Sequence, residues 1–287
     1  MIALREEEGP SIHFVIQVDT LCHRIPNFIV KAARAGATRV FIGMESINPE
    51  NLLAAKKRQN RISEYRRMLL GWKGVRCFTY AGYILGFPGD TPESIERDIG
   101  IIQRELPLDL QELLCLTPLP GSQDHKRLFT AGARMDPDMN KYDLEHVCAD
   151  HPLMSKEEWE RAYRLEWSTY HNPEHMARVT RRAGASGISP GKVMFLLLWF
   201  RGCVTLEKIH PLEGGYLRRK VRTDRRPGLP IENPLLFYPR YVADLLAKHV
   251  RVLRMVLTLA AVRRAIKRVR TAARTLMPRS RRSRTQR

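Results

Sequence analysis

The sequence predicts an α/β protein with a parallel sheet in its first half and a mainly helical second half. Three observations carry this expectation. Short, mostly apolar and partly β-branched runs recur between residues 13 and 116, as strands buried on both faces require. A stretch of helical periodicity with recognisable caps follows most of them, and such alternation builds βαβ units. After Pro120-Gly121 the alternation stops and amphipathic helical patterns take over.

The first strand is expected over residues 13–18. A helix follows over 26–35, with Ile29, Val30 and Ala33 on one face and Gly36 at a left-handed C-cap. Residues 39–44 read as the second strand. Asn48-Pro49-Glu50 then opens a helix through Lys57, and Ser63 caps another through Leu70. The third strand, 76–85, ends in the turn Pro88-Gly89-Asp90. Thr91 as N-cap, with Pro92 at the first helical position and Glu93 in the first turn, starts a helix through Arg104. Residues 112–116 are the fourth strand, and 131–152, mixing Asp, Pro, Met and Gly without a period, read as an irregular connection. Ser155-Lys156-Glu157-Glu158 is a capping box for a helix through Tyr170, and Pro173 starts another through Arg182. Segments 183–187 and 222–234 read as linkers. A helical pattern runs from Tyr241 towards Met277, and the Arg-rich residues from Pro278 have nothing to bury and read as a disordered tail. The expected units are therefore 1–129, 130–182, 183–277 and 278–287.

Among 287 residues, 44% are hydrophobic, enough for one full core and a smaller appended unit. The formal net charge is +19, and much of it lies late. Asp244 is the last acidic residue, whereas Arg251, Arg254, Arg263, Arg264, Lys267, Arg268, Arg270, Arg274 and five further arginines follow it. The first ten residues carry Glu6, Glu7 and Glu8 and no apolar run, which excludes a secretory h-region there and points to the cytoplasm. The longest apolar stretch, 193–200, is far short of the roughly 20 residues a spanning helix needs. Cys22, Cys77, Cys115, Cys148 and Cys203 are scattered, and no two have C-x-x-C or C-x-x-x-C spacing, so reduced thiols are expected.

Three strand ends carry unusual residues: Gln17-Val18-Asp19-Thr20, Gly43-Met44-Glu45-Ser46, and Gly82-Tyr83-Ile84-Leu85-Gly86-Phe87-Pro88-Gly89. The carboxyl ends of parallel strands converge on the ligand site, so Asp19 and Glu45 are expected to point into a crevice. Each has a plain structural alternative, a turn residue for Asp19 and a helix-start cap for Glu45. Glycines 82, 86 and 89 let backbone approach a ligand just before Thr91, where free helix N–H groups face an anionic group. The alternative there is an ordinary turn.

Val40-Phe41-Ile42-Gly43-Met44-Glu45-Ser46, then Gly82 through Thr91, then Leu116-Thr117-Pro118-Leu119-Pro120-Gly121, in this order and spacing, resemble radical S-adenosylmethionine (SAM) enzymes. Within them the chain is most similar to the group that often carries an N-terminal cobalamin-binding domain. The resemblance covers roughly residues 5–129 and, more loosely, 146–182. It implies a partial parallel β/α barrel, strands three to six of the family's barrel, followed by the helical region. In that family C-x-x-x-C-x-x-C after the first strand holds a [4Fe-4S] cluster, S-adenosylmethionine chelates the open iron, and reductive cleavage yields a 5′-deoxyadenosyl radical. The resemblance further implies that Gln17 and Glu45, with Asp19 and Ser46 beside them, face the methionine or ribose. It implies that Gly82, Ile84, Gly86, Phe87 and Pro88 line the adenine, and that Leu116 and Pro118 lie in the segment that closes the barrel. No catalytic residue is assigned. The first two strands and the cysteine motif are missing from this pattern, so the chain is expected to be an N-terminally truncated family member that holds no stoichiometric cluster by itself.

Two functions follow from this reading. One is the S-adenosylmethionine half-site of a radical enzyme acting on an unidentified small molecule, with cobalamin as a further candidate cofactor. The other is a degenerate, inactive barrel that acts through its basic end. His146, Cys148, Asp150, His151, His171 and His175 match no metal-site spacing and read as loop and helix-end residues. Trp159, Tyr163, Trp167 and Tyr170 share one helical face, the pattern of a core stripe. Val242, Leu245, Leu246, Leu253, Val256 and Leu257 form a helical apolar pattern beside an increasingly basic face. This pattern suits either packing on the barrel or attachment to an anionic membrane surface at the inner face, in preference to nucleic acid.

Overall fold

The computed structural model describes residues 2–9, 12–54, 61–215 and 217–276. A short helix α1 (Ile2–Glu8) precedes β1 (Phe14–Val18), α2 (Phe28–Ala35), β2 (Ala37–Glu45), α3 (Pro49–Ala54), α4 (Ile62–Gly74), β3 (Phe78–Leu85), α5 (Pro92–Glu105) and β4 (Leu110–Cys115). Then come α6 (Gln123–Thr130), α7 (Lys156–Tyr170), α8 (Pro173–Ala185), α9 (Pro190–Gly202) with a π-turn over Cys203–Glu207, and α10 (Pro234–Leu276). The four strands form one sheet in the order β1-β2-β3-β4 with every pair parallel. The fold is thus α/β with a helical C-terminal region. The expected stretches at Lys57 and from Met277 onward lie outside the described residues.

The sheet is covered unequally, and this positions the site. On one face Val40, Ile42 and Met44 of β2, Ala81, Tyr83 and Leu85 of β3, and Leu113 of β4 are buried with Tyr65, Met68, Leu69 and Trp72 of α4 and Ile95, Ile99 and Ile102 of α5. Each buried Val, Leu, Ile or Met side chain among them contributes about 1.5–3 kcal/mol, so this face is the core. Residues of opposite parity, Phe41, Gly43, Glu45, Tyr80 and Ile84, are only partly buried, and at the β1 edge Val15 and Gln17 are exposed.

Local chemistry explains most element starts. Thr91 and Ser94 exchange side-chain and backbone hydrogen bonds in a capping box, as do Ser155 and Glu158. Ser63 does not cap α4: it lies in the first turn, because α4 begins at Ile62 with Arg61 in the cap position and no side-chain cap. The strands run 37–45 and 110–115, beyond and earlier than the apolar runs alone indicate. Helix α10 starts at Pro234, ahead of Tyr241, and carries Pro239 within it. The aromatic stripe of α7, Trp159, Tyr163, Trp167 and Tyr170, is buried in the core. No helix among the described residues is long and apolar enough to cross a membrane.

At the amino ends of the strands a buried ion pair joins α4 to the β4 start. Lys73 Nζ donates to Asp109 and, at 3.0 Å, to Thr79 Oγ1. Asp109 also accepts from the Thr79 N–H at 2.9 Å. Burial lowers the Lys73 ammonium's pKa, with Asp109 opposing the shift. Removing one partner leaves an uncompensated buried charge. Lys73→Met is therefore expected to cost about 3–5 kcal/mol in urea unfolding, and adding Asp109→Asn should recover much of that loss.

Candidate functional site

The open sheet face has a glycine floor. In the β2–β3 register Gly43 lies beside Gly82, and Gly82 lies beside Glu112 of β4. A Cβ on Gly82 would come 3.1 Å from the Phe41 ring and 3.6 Å from Leu114 Cδ1, so a side chain there would press on both. Over Gly43 the Glu45 carboxylate folds back, its Oε1 3.1 Å from where a Cβ would sit. The register slips between Gly43 and Glu45, and Glu45 holds φ at 64°. A left-handed conformation is uncommon for a non-glycine residue and costs energy that surrounding structure must sustain. It turns the chain end of β2 onto this face.

Phe41 and Tyr80 form an aromatic wall, with ring centroids 5.1 Å apart in an edge arrangement. Glu112, 2% exposed, sits among these residues on the central part of β4. Burial alone pushes its carboxyl up to about 7. Burial and the neighbouring Glu112 charge together push the Tyr80 phenol up. A buried carboxyl poised near neutrality beside strand glycines marks a functional candidate. The face thus combines two strand glycines, over which the Phe41 ring and the Glu45 carboxylate lie, aromatic edges, and two carboxylates able to accept from ammonium or hydroxyl donors.

Of the residues singled out by sequence, Glu45, Gly82 and Ile84 share this face, and Gln17 lies one strand away, in register with Phe41. Asp19 is engaged in a turn, its carboxylate accepting from the Leu21 N–H at 2.9 Å. Ser46 is fully buried, its Oγ accepting from the Asn48 N–H at 3.0 Å, within a network in which Asn51 donates to Asp90 at 2.6 Å. Gly86 has φ at 101°, and the Trp159 indole occupies the space a side chain would take. Trp159 Nε1 donates to the Leu85 carbonyl at 3.1 Å. Asp90 accepts from the Gly86 and Phe87 N–H groups at 2.9 and 3.0 Å, and His151 Nε2 lies 2.8 Å from the Phe87 carbonyl. Gly86 is thus closed under Trp159 and Phe87 is buried, while Pro88 is exposed. Leu116 donates to the Leu85 carbonyl at 2.8 Å and continues the ladder, and Pro118 is buried beyond it. A cleft of ≈ 530 Å³ opens beside Trp159, lined by Arg134, Asp136, Cys148, His151 and Lys156 among others.

Phe41, Tyr80 and Glu112 were not singled out as site residues by sequence. The available signal was Glu112, a lone acid inside an apolar strand.

The described residues do not fit an iron–sulfur cluster. All five cysteines are free and buried, and they are dispersed along the sequence. Burial raises every thiol, Cys22 and Cys148 to about 11, Cys77 and Cys203 to about 12, and Cys115 well above its usual value, which disfavours the thiolate that binds metal. His146 pairs with Asp143 at 2.7 Å and Cys148 donates to the Lys141 carbonyl at 2.9 Å. Among the described residues, the ligand atoms found close together belong to Asp143, Glu145 and Glu213. The Asp143 and Glu145 carboxylates already accept backbone N–H groups, of His146 at 3.0 Å and His210 at 3.0 Å.

Comparison with known proteins gives partial matches. No protein-family model matches the chain. It is 26% identical over 121 residues to a bacteriochlorophyllide d C-12(1)-methyltransferase of Chlorobaculum tepidum, a match covering 42% of this chain and 26% of that protein. The chain thus spans about a quarter of the curated relative. Among solved structures it is similar to TsrM, a radical S-adenosylmethionine methyltransferase from Kitasatospora setae with cobalamin and a [4Fe-4S] cluster bound. That match has 16% identity and a TM-score of 0.45, covering 68% of this chain and 47% of that one. It is also similar to an N-terminally deleted Elp3 of the archaeon Methanocaldococcus infernus, at 19% identity and a TM-score of 0.37, covering 42% of this chain and 28% of that one.

The raised Glu112 carboxyl sets a pH dependence of known sign. Below about pH 4.5 it is protonated in both folded and unfolded chains. As pH rises from there to about 7, the unfolded chain ionises first and stability falls. Glu112→Gln should therefore leave stability unchanged near about pH 4 and raise it by about 3 kcal/mol above about pH 8, measured by urea unfolding at both pH values.

Proposed function

We propose that the chain binds S-adenosylmethionine on the open face of its parallel sheet, as part of an enzyme of the radical S-adenosylmethionine type. The observation that carries this reading is the Gly43–Gly82 floor between the Phe41–Tyr80 wall and the Glu45 and Glu112 carboxylates. A purine takes the space over these glycines once the Phe41 ring and the Glu45 carboxylate, which lie over Gly82 and Gly43, turn aside. The Glu45 carboxylate accepts from ribose hydroxyls or the methionine ammonium. Glu112 holds its proton up to about pH 7, so near neutrality it either donates a hydrogen bond or, once ionised, balances the sulfonium charge. The motif resemblance and the 121-residue similarity to a methyltransferase support the same cofactor class.

The five buried, dispersed cysteines do not fit a [4Fe-4S] cluster. In this reading the reductive cleavage that gives a 5′-deoxyadenosyl radical requires three thiolates from outside the described residues. Cobalamin is a further candidate cofactor on the resemblance alone. The dispersed, protonated thiols favour a second reading, a barrel without cofactor chemistry that serves as a binding module.

Calorimetric titration of the full chain with S-adenosylmethionine separates the two. Saturable binding is expected, weakened roughly tenfold or more by Glu45→Gln, the loss of one charge-assisted hydrogen bond, and abolished by Gly82→Val. Absence of binding by the folded wild-type chain would establish the second reading.

A further inference from the structure

Helix α10 carries two apolar stripes. The inner one contains Leu245, Val252, Met255, Val256, Leu259 and Val262, which are buried or half-buried, where α10 packs on α8 and α9. The outer one contains Val242, Leu246, Val250, Leu253 and Leu257, each 50–64% exposed. Their spacings of four, four, three and four residues hold them on one side of a helix. At 1.5 Å per residue this line is about 22 Å long. Leu235 and Leu236, both exposed, extend it towards the helix start. A contiguous apolar line of this length on an outward face marks an interaction surface.

The charge around the line selects what covers it. Asp244 is the one acidic residue in the helix, and it faces inward, accepting from Lys220 at 2.9 Å and Lys248 at 2.7 Å. Lys248, itself buried, also donates to Glu207 at 2.8 Å. The acidic and basic groups of the inner side therefore neutralise one another. Arg240, Arg251, Arg254, Arg263 and Arg264 are exposed, and no acidic residue follows Asp244 in the sequence, whereas Lys267, Arg268 and Arg270 continue the series. A second copy of this helix would bring like charges together across the stripe. A nucleic acid would engage the arginines and leave the leucines in water. An interfacial helix in an anionic bilayer uses both, burying the apolar line at the acyl boundary while the bases meet the headgroups.

We propose that α10 is a peripheral membrane-docking helix, which lies along an anionic lipid surface through the Val242–Leu246–Val250–Leu253–Leu257 line and the flanking arginines. Binding needs both components. Each arginine near the surface strengthens it about fivefold, and salt weakens that part.

Vesicle co-sedimentation of the full chain tests this, with phosphatidylserine–phosphatidylcholine vesicles against pure phosphatidylcholine. The wild-type chain should bind the anionic vesicles and leave the neutral ones. Leu246→Ser with Leu253→Ser, at exposed positions and checked for retained helix by circular dichroism, should weaken binding about tenfold or more. Arg251→Ala with Arg254→Ala should weaken it similarly and flatten its salt dependence. Three results would overturn the proposal: equal binding to neutral vesicles, unchanged binding by the leucine variant, or a self-association in light scattering that the leucine variant abolishes while vesicle binding stays absent.

Discussion

The parallel register of β2 with β3 is the constraint on which the rest of the structure depends. It sets Val40 opposite Thr79 and Ile42 opposite Ala81, and with Met44, Tyr83 and Leu85 these apolar residues are buried on the face that α4 and α5 cover. Because side chains alternate along a strand, the same register places Gly43 beside Gly82 on the other face. A slip of one residue would exchange the two faces, burying the glycines in the core and exposing its largest residues. The apolar packing of one face thereby fixes the geometry of the other, and Glu45 can hold a left-handed backbone at the strand end because the strand before it is anchored.

Buried charge is divided along the strand direction. At the amino ends Lys73, Asp109 and Thr79 form a paired cluster that ties α4 to the start of β4. Towards the other end, Glu112 is buried with desolvation unopposed and Glu45 lies over the glycine floor. In barrel-like α/β folds the amino face serves stability and the carboxyl face serves chemistry. A compensated pair belongs to the first role, and a carboxyl shifted towards neutrality to the second.

Most of the sheet was legible because its strands are short apolar runs between cap and turn signals, Gly36 and Thr91 among them. Boundaries shifted where a polar residue is held by a distant partner. Asp109 makes the start of β4 look like loop, yet its partner Lys73 keeps it inside, which moves Glu112 from a strand start to the strand's middle. Gly82 and Glu45 could be marked from their motifs. The closure of Gly86 by Trp159, 73 residues away in sequence, could not, since nothing local encodes that contact. Ser46 and Asp19 illustrate the same limit, for their hydrogen bonds to Asn48, Asn51 and Leu21 fill the oxygens that a motif alone leaves open. The apolar residues of α10 read as one pattern in sequence and separate into two stripes only when α8 and α9 cover one of them.

The sheet face and the basic helix are independent features of one chain, and the face carries the central claim. Backbone amide chemical shifts of the full chain, followed by NMR while S-adenosylmethionine is added, test it most directly. Shifts concentrated at Gly43, Glu45, Gly82 and Leu114 are expected, with Trp159 and His151 little changed. Shifts confined to the cleft beside Trp159, with the Gly43 and Gly82 amides unmoved, would contradict it.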